Sequence, residues 1–568
     1  MKNPYNRKIV RVLLLKEKTL LFYSNLTEFR ILLHNKLAGA RQDKLGRTQK
    51  KTQKEIELTM ATPAEKLAQS LEVLSKFQNA KGLAVIKANE LSRIHRELLI
   101  ANGFIREVIK GWYISTRPDE QVGDSTSWYT SFWYFVAIYS NERFGEEWCL
   151  SSEQSLAIHS GNMSVPKQLL VKSPKGQNNN ITLLHGTSFF DLTTTLPLKD
   201  EIIKIDGINL YTLPASLINS SSNFFFQYPT DTRAALSMVK DSSEILGKLL
   251  DNGHSKIAGR LAGAFRNIGR DRIADDILQT MKSAGYDIRE SDPFKDKLPS
   301  LIGTREVSPY VNRIKFMWQQ MRQTVIDNFP KSPGLPIDIE TYLKQVEEIY
   351  VTDAYHSLSI EGYRVTQELI EKVKTGQWSP DDDDKDREHK NAMAARGYWQ
   401  SFQAVKSSIK EILSGKNPGQ IADNDHNKWY RELFAPSVAV GILKPSDLAG
   451  YRNDQVYIKG SMHTPLKPDA VRDAIPTLFD LMKEEPESCV RVVLGHFIFV
   501  YIHPYMDGNG RIGRFLMNAM LASGGYLWTV IPVESRNEYM IALEKASVEQ
   551  DILPFTEFIA KQYFIHRA

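Results

Sequence analysis

Apolar residues recur along this chain with different periods, and the changes of period divide it. In "MATPAEKLAQSLEVLSKF", Leu67, Leu71, Leu74 and Phe77 form one stripe at helical spacing, with Thr62–Pro63 as its start. After a break at Asn79–Gly82, "KANELSRIHRELLIANG" reads as helices ending at Gly103, and "FIREVIKGWYI" as two short strands about Lys110–Gly111. Between 119 and 300, strand-like stretches ("KQLLVKSP", "NITLLHG", "IIKIDGINLYTLP") mix with helical ones ("DTRAALSMVK", "DRIADDILQTMKSAG"), and no catalytic spacing occurs among them. Further on, "CVRVVLGHFIFVYI" is apolar nearly all round, which predicts a helix at the centre of a helical domain. "RIGRFLMNAMLASGG" is a second helix, ended by Gly524–Gly525. Ile512, Phe515, Leu516 and Ala519 share its packing face, and Arg511, Arg514 and Asn518 a face that reaches out.

The order helix, helix, helix, two-stranded wing predicts a winged helix-turn-helix over 60–118. Arg93, His95 and Arg96 would lie on its recognition helix, with Arg106 and Lys110 near the wing, which makes DNA a candidate partner. A mixed α/β domain is expected over 119–300, a helical region over 301–424 with a helix at 338–361, and a catalytic core over 425–568. The acidic run "SPDDDDKDREHK" reads as a solvated loop leading into a helix.

Composition narrows the setting. The chain has 568 residues and two cysteines, Cys149 and Cys489, which excludes a disulfide framework and fits a reducing cytoplasm. No run of 18 apolar residues occurs, so no membrane span is expected. The net charge of +5 is uneven: residues 1–59 hold 14 Lys/Arg against 5 Asp/Glu, a balance of +9, which leaves −4 for the rest. That stretch reads as a basic, unstructured extension, or as sequence upstream of a start at Met60.

The chemistry concentrates at 503–514, "HPYMDGNGRIGR". Pro504 marks the end of the apolar helix and holds His503 there. Gly508 and Gly510 let backbone N–H groups converge in front of a helix N-terminus, which makes an anion site. Arg511 and Arg514 add fork-shaped donors for phosphate oxygens. Asp507 supplies a hard oxygen suited to Mg²⁺, a metal usually held by one or two carboxylates plus substrate phosphates. His503 has a titration range suited to taking a proton from a hydroxyl. Together these parts predict attack of an activated nucleophile on a phosphorus atom of a metal-bound di- or triphosphate.

The stretch resembles the Fic signature HPFx(D/E)GN(G/K)RxxR, departing by Tyr505 for the usual Phe. The resemblance implies an all-helical domain that transfers AMP from ATP to a Ser, Thr or Tyr hydroxyl of a target protein. It implies His503 as base, Asp507 as Mg²⁺ ligand, Asn509 and the glycine amides of Gly508 and Gly510 on the α-phosphate, and Arg511 and Arg514 on the β/γ-phosphates. Gly510 argues against the branch that has Lys there and phosphorylates its target.

Two further stretches extend the resemblance. "YRNDQVYIKGSMHTPLKP" at 451–468 is similar to the family's flap, a β-hairpin; Val456, Tyr457, Ile458, Lys459 and Gly460 would dock a target segment by main-chain pairing. "AYHSLSIEGYRVT" at 354–366 resembles the inhibitory motif (S/T)xxxE(G/N), carried by Ser357, Glu361 and Gly362. It implies that Glu361 pairs with Arg514 where the γ-phosphate must sit, an inhibitor in cis. Tyr539, in "RNEYMIALEKASVEQDILPFTEFI", is the candidate beside the base, although Ser547–Val548 stand where an adenine-binding Asn is often found. The N-terminal half resembles, through its element order, winged-helix antitoxin-type regulators of abortive-infection systems.

The expected protein is thus multidomain: an all-α Fic domain with a β-hairpin flap, preceded by a winged helix and a mixed α/β domain. The expected activity is cytoplasmic, Mg²⁺-dependent protein adenylyltransfer, held back by Glu361. The same site could also remove AMP with Glu361 positioning a water. The rival expectation is a DNA-binding regulator or antitoxin whose Fic domain senses nucleotide, and homo-oligomerisation is left open.

Overall fold

The computed structural model describes residues 62–81, 85–120, 124–251, 253–295, 308–378 and 386–565. The basic stretch 1–59, with Met60 beyond it, and the acidic run 379–385 lie outside the described residues. Two compact units meet at Lys76/Phe77, inside helix α1 (Pro63–Lys81). The described part of the first is the front of that helix, closed by a reciprocal cap. Glu65 N donates to Thr62 Oγ1 at 3.4 Å, and Thr62 N donates to Glu65 Oε2 at 2.8 Å.

The second unit starts with a small antiparallel sheet of β1 (Val85–Lys87), β2 (Ile105–Ile109) and β3 (Trp112–Ser115), in the order β1-β3-β2. Residues 87–103, expected to form helices, hold one, preceded by a strand end and a turn. Lys87 ends β1, the Glu90 carboxylate accepts from Lys87 N at 2.9 Å to form a turn, and Ser92 caps the helix α2 (Arg93–Ala101). β-Branched Val85 and Ile86 opposite Ile114 and Tyr113 favour strand over helix at its front. After α3 (Thr126–Phe144), a four-stranded sheet forms from β4 (Cys149–Leu150), β5 (Gln168–Ser173), β6 (Asn179–Thr182) and β7 (Ser188–Thr193), ordered β4-β5-β7-β6 with β5 and β7 parallel. A hairpin of β8 (Ile202–Ile205) and β9 (Ile208–Tyr211) follows. The helical stretches expected at 231 and 271 form α4 (Pro229–Met238) and α5 (Asp271–Ser283).

From α6 (Pro309–Asn328) onward the chain is helical: α7 (Ile339–Glu348), α8 (Tyr350–Ile360), α9 (Asp386–Leu413), α10 (Pro418–Ala439), α11 (Pro468–Glu484), α12 (Ser488–Ile502), α13 (Asn509–Ser523), α14 (Arg536–Glu544) and α15 (Leu553–Ile565). One apolar cluster runs from Ile314 to Tyr563. Every residue of α12 except Val500 is buried, as its nearly all-round apolar sequence predicts. Each fully buried Val, Leu, Ile or Phe there contributes ~1.5–3 kcal/mol, which makes α12 a rigid mount for the loop after it.

Two expectations change. The helix expected at 338–361 is two helices, with Ile349 capping α7 and opening α8. The break drives Tyr350 fully inside against Trp399 and Phe402. The flap is not a β-hairpin, since no strand forms over 451–467. The Gln455 side-chain amide instead bridges its limbs, donating to Val456 O at 3.2 Å and Pro465 O at 2.8 Å. Among the described residues no helix is long and apolar enough to cross a membrane.

Candidate active site

His503 caps α12 in the left-handed region, with φ 54° and ψ 63°. Its Nδ1 lies 3.2 Å from Val500 O. A carbonyl can only accept, so Nδ1 carries the proton and Nε2 keeps its lone pair. Burial lowers the imidazole pKa to about 4, with Arg452 adding to the effect and Glu361 and Asp507 opposing it, so the ring is neutral at pH 7.

The loop is closed by Asn509, whose side chain clasps one residue. Its Oδ1 accepts from Tyr505 N at 2.8 Å and its Nδ2 donates to Tyr505 O at 2.9 Å. Each end of the amide thus makes one hydrogen bond to Tyr505, which shapes the loop. Tyr505 is buried, stacks on Tyr430 with centroids 3.9 Å apart, and donates its hydroxyl to Asn427 Oδ1 at 2.8 Å. Asn427 thus accommodates the departure from Phe. Gly508 sits at φ 83°, and a Cβ there would come within 2.8 Å of Phe434 Cε2. The first-turn N–H groups of α13 have no intrahelical acceptor and point out of the helix start.

The arginine face of α13, expected to reach out, does not: Arg511, Arg514 and Asn518 are all buried. Arg511 is held between the rings of Phe434, at 4.9 Å, and Tyr363, at 5.2 Å, with Asp507 Oδ2 3.4 Å from its Nη2. Arg514 donates from Nε to Ser357 Oγ at 2.9 Å, and from Nη2 to Ser357 O at 3.1 Å and to Glu361 Oε1 at 2.7 Å. Burial works against its charge, but Glu361 more than offsets this and holds its pKa above the ordinary value. Among the described residues, three buried guanidinium nitrogens, Arg511 Nε, Arg511 Nη2 and Arg514 Nη1, find no hydrogen-bond acceptor.

Glu361 stands at the C-terminal end of α8, where the helix dipole disfavours a carboxylate and Arg514 compensates. Gly362, at φ 86°, then turns the chain. A Cβ at Gly510 would lie 2.5 Å from Glu361 Oε1, so the absence of a side chain there is what lets Glu361 approach. Asp507 is the exposed carboxylate at the mouth, its side chain 66% accessible. One hydrated carboxylate beside an anion-binding turn fits Mg²⁺ held jointly with substrate phosphates.

Tyr539 does not flank an open pocket. It is 1% exposed, and its hydroxyl meets His496 Nε2 at 2.7 Å inside the core. Of the candidate DNA contacts, Arg93 is exposed and paired with Glu97, and Lys110 lies at the turn between β2 and β3. Arg96 is committed inward, donating to Ala88 O at 2.8 Å and lying over Tyr113.

Several contacts were invisible in the sequence. The flap tip is held from two sides: Lys459 pairs with Asp124 at 3.2 Å, Gly460 N donates to Thr126 Oγ1 at 3.4 Å, and Val165 N donates to Met462 O at 2.8 Å. On the other side, Glu544 accepts from Met462 N at 2.8 Å and from the Ser461 hydroxyl. Tyr457 and Ile458 remain accessible in part. Arg536 donates to Ile360 O at 2.9 Å, and Arg452 wraps the turn around His503. Each joins residues dozens to hundreds of positions apart, and nothing local signals the pairing.

One helical domain thus brings together a histidine at a helix end, a glycine-shaped turn and two buried arginines. Residues 423–521 match the Fic/DOC family and form a Fic domain. "Protein adenylyltransferase Fic" of Drosophila willistoni is 30% identical over 218 residues, 38% of this chain and 40% of that protein. Its namesake in Nematostella vectensis is 27% identical over 253 residues, 44% and 55% of the two chains. The chain therefore spans about half, or less, of these curated relatives. Among solved structures, Fic-1 of Caenorhabditis elegans is 18% identical, with 61% of this chain and 88% of that one covered and a TM-score of 0.32. A Fic-domain signalling protein of Bacteroides thetaiotaomicron is 15% identical, with coverages of 45% and 94% and a TM-score of 0.31.

Proposed function

We propose that this protein is an adenylyltransferase that moves AMP from ATP to a hydroxyl of a protein target, and that Glu361 restrains it. The observation that carries the reading is the set of three buried arginine nitrogens without acceptors among the described residues, Arg511 Nε, Arg511 Nη2 and Arg514 Nη1, at the first turns of α13. Buried guanidinium donors are costly unless paired, and a polyphosphate supplies the oxygens they lack. The first-turn amides of α13 face the α-phosphate. A hydroxyl approaching His503 gives its proton to Nε2 while its oxygen bonds the α-phosphorus. The bond from that phosphorus to the β-bridging oxygen breaks, and pyrophosphate leaves with its charge held by Arg511 and Arg514. Mg²⁺, held by Asp507 and the phosphates, would neutralise charge on the leaving group.

Target docking falls to the accessible part of the flap, Val456 to Ile458, since Lys459 and Gly460 are engaged by residues 124 and 126. The domain boundaries at 118, 300 and 424 and the winged-helix reading of 60–118 belong to this proposal too, as does AMP removal at the same site. Labelled ATP incubated with the purified protein and cell lysate tests the main reading. We expect a labelled protein band with the parent and none with His503→Ala, whose ATP affinity stays near the parent's. Equal labelling by both would remove His503 as base and this reading with it.

A further inference from the structure

The left-handed backbone of His503 requires an explanation. A non-glycine residue there is strained and persists only where its surroundings over-determine it. Beside the helix contacts of His503 with Phe499 O and Val500 O, one residue supplies them. Arg452 Nε donates to His503 O at 2.8 Å, Arg452 Nη2 donates to Ile502 O at 3.5 Å, and Arg452 N donates to Pro504 O at 2.9 Å. Three consecutive carbonyls of the turn thus accept from a single amino acid. The remaining donors hold the flap, Nη1 reaching Asp454 O at 3.1 Å and Nη2 also meeting Leu466 O.

We propose that Arg452 is a positioning residue for the reaction: it locks His503 in its turn and ties that turn to the flap. The role rests on His503 being the base. The cation lies at the C-terminal end of α12, where the helix dipole favours it. Arg452 is 1% exposed and has no carboxylate in ion-pair range among the described residues, so its partners are carbonyls throughout. Burial accordingly lowers its pKa to about 10. Lysine keeps the charge but offers one nitrogen, which cannot reach Ile502 O, His503 O, Asp454 O and Leu466 O together.

The test uses the full chain with Glu361→Gly as parent, so that transfer is measured without Glu361. Arg452→Lys and Arg452→Gln each keep a donor in the space. Gln455→Ala loosens the same flap at Val456 O and Pro465 O without touching 502–504. We expect kcat in the Arg452 variants to fall about tenfold or more, with KM and Kd for ATP within twofold of the parent. Gln455→Ala should instead raise KM for the protein acceptor and keep kcat. Unchanged kcat in both Arg452 variants overturns the proposal. So does an equal loss of kcat in Gln455→Ala, because flap order is then the whole effect. Loss of ATP affinity in both Arg452 variants also overturns it, because Arg452 is then a residue of the fold alone. An inactive parent is a failure of the function reading only. Histidine-selective ¹⁵N spectra then decide: the His503 ring signals should move in Arg452→Lys and stay in Gln455→Ala, and signals that stay in both refute the lock.

Discussion

Removing Glu361 should release the enzyme and loosen the fold by the same act. In the resting structure, Arg514 Nη2 is shared between Glu361 Oε1 at 2.7 Å and Ser357 O at 3.1 Å. A hydrogen bond between charged partners contributes ~1.5–3 kcal/mol, and the Glu361 side chain is 26% exposed, which places this one toward ~1.5–2 kcal/mol after screening. A γ-phosphate must displace that carboxylate and tolerate its charge. Glu361→Gly removes both costs, and at ~1.4 kcal/mol per factor of ten the rate of AMP transfer should rise ten- to thirtyfold. The same substitution leaves buried Arg514 with Ser357 as its main partner, so the thermal midpoint without nucleotide should drop. Adding ATP should then raise the midpoint more in Glu361→Gly than in the parent, because the triphosphate restores the missing counter-charge. Transfer assays on the protein itself and on lysate, beside thermal scans with and without ATP, read both effects. The double variant Glu361→Gly with Arg514→Ala should lose the gain in rate. A Glu361→Gly protein no faster than its parent, with an unchanged ATP-induced shift, would refute the reasoning and return Glu361 to an ordinary helix end.

Three further outcomes follow from the geometry. Asp507→Ala should abolish the improvement of ATP affinity by Mg²⁺, measured by titration calorimetry; a metal effect equal to the parent's would exclude Asp507 as ligand. Gly508→Ala forces a Cβ to 2.8 Å from Phe434 at φ 83°, and should cost ~2–4 kcal/mol of stability in urea, with an effect under 1 kcal/mol contradicting the loop geometry. His463 and His496 are buried, and burial lowers the pKa of each to about 3, below the unfolded value near 6.5. The unfolded chain therefore binds their protons first, and their contribution, complete above pH 6.5, is lost as pH falls toward 3, at ~1.4 kcal/mol per pH unit for each. Urea unfolding at pH 7 and 5.5 measures the loss, and equal stability at the two values would show that these rings are accessible.

What the sequence disclosed depended on the range of the interaction. His503, Gly508, Arg511 and Arg514 fall within twelve residues, and their geometry is set by one helix end, one turn and one helix start, so local pattern sufficed. The pairing of Glu361 with Arg514 spans 153 positions and was legible because it came through a known motif. The errors arose where tertiary partners outweighed local preference. The resemblance at 451–468 implied a hairpin, yet side chains of Gln455 and Arg452 bridge the limbs in place of a ladder. Tyr539 lay in a stretch that resembles the family's, but its hydroxyl had a buried partner in His496 that no spacing revealed. The polar face of α13 looked like a surface because polarity reads as exposure, whereas Phe434, Tyr363 and Ser357 close over it.

On the proposed reading, that buried polar face would make restraint and catalysis share Arg514. A guanidinium taken out of water needs a counter-charge or a set of acceptors at all times. Arg511 meets the need with two aromatic faces and Asp507; Arg514 meets it with Ser357 and Glu361. A site preorganised to hold a γ-phosphate is, before ATP arrives, a buried cation in search of an anion, and the nearest chain carboxylate fills the place. Gly510 leaves the space that allows it. The coupling is reciprocal: whatever strengthens the Glu361 contact must weaken productive ATP binding by the same free energy. Any partner that draws α8 away from α13 would then act as an activator without touching the nucleotide. The C-terminal end of α8 is anchored by Arg536 through Ile360 O, so a pull on α14 reaches Glu361 through one hydrogen bond.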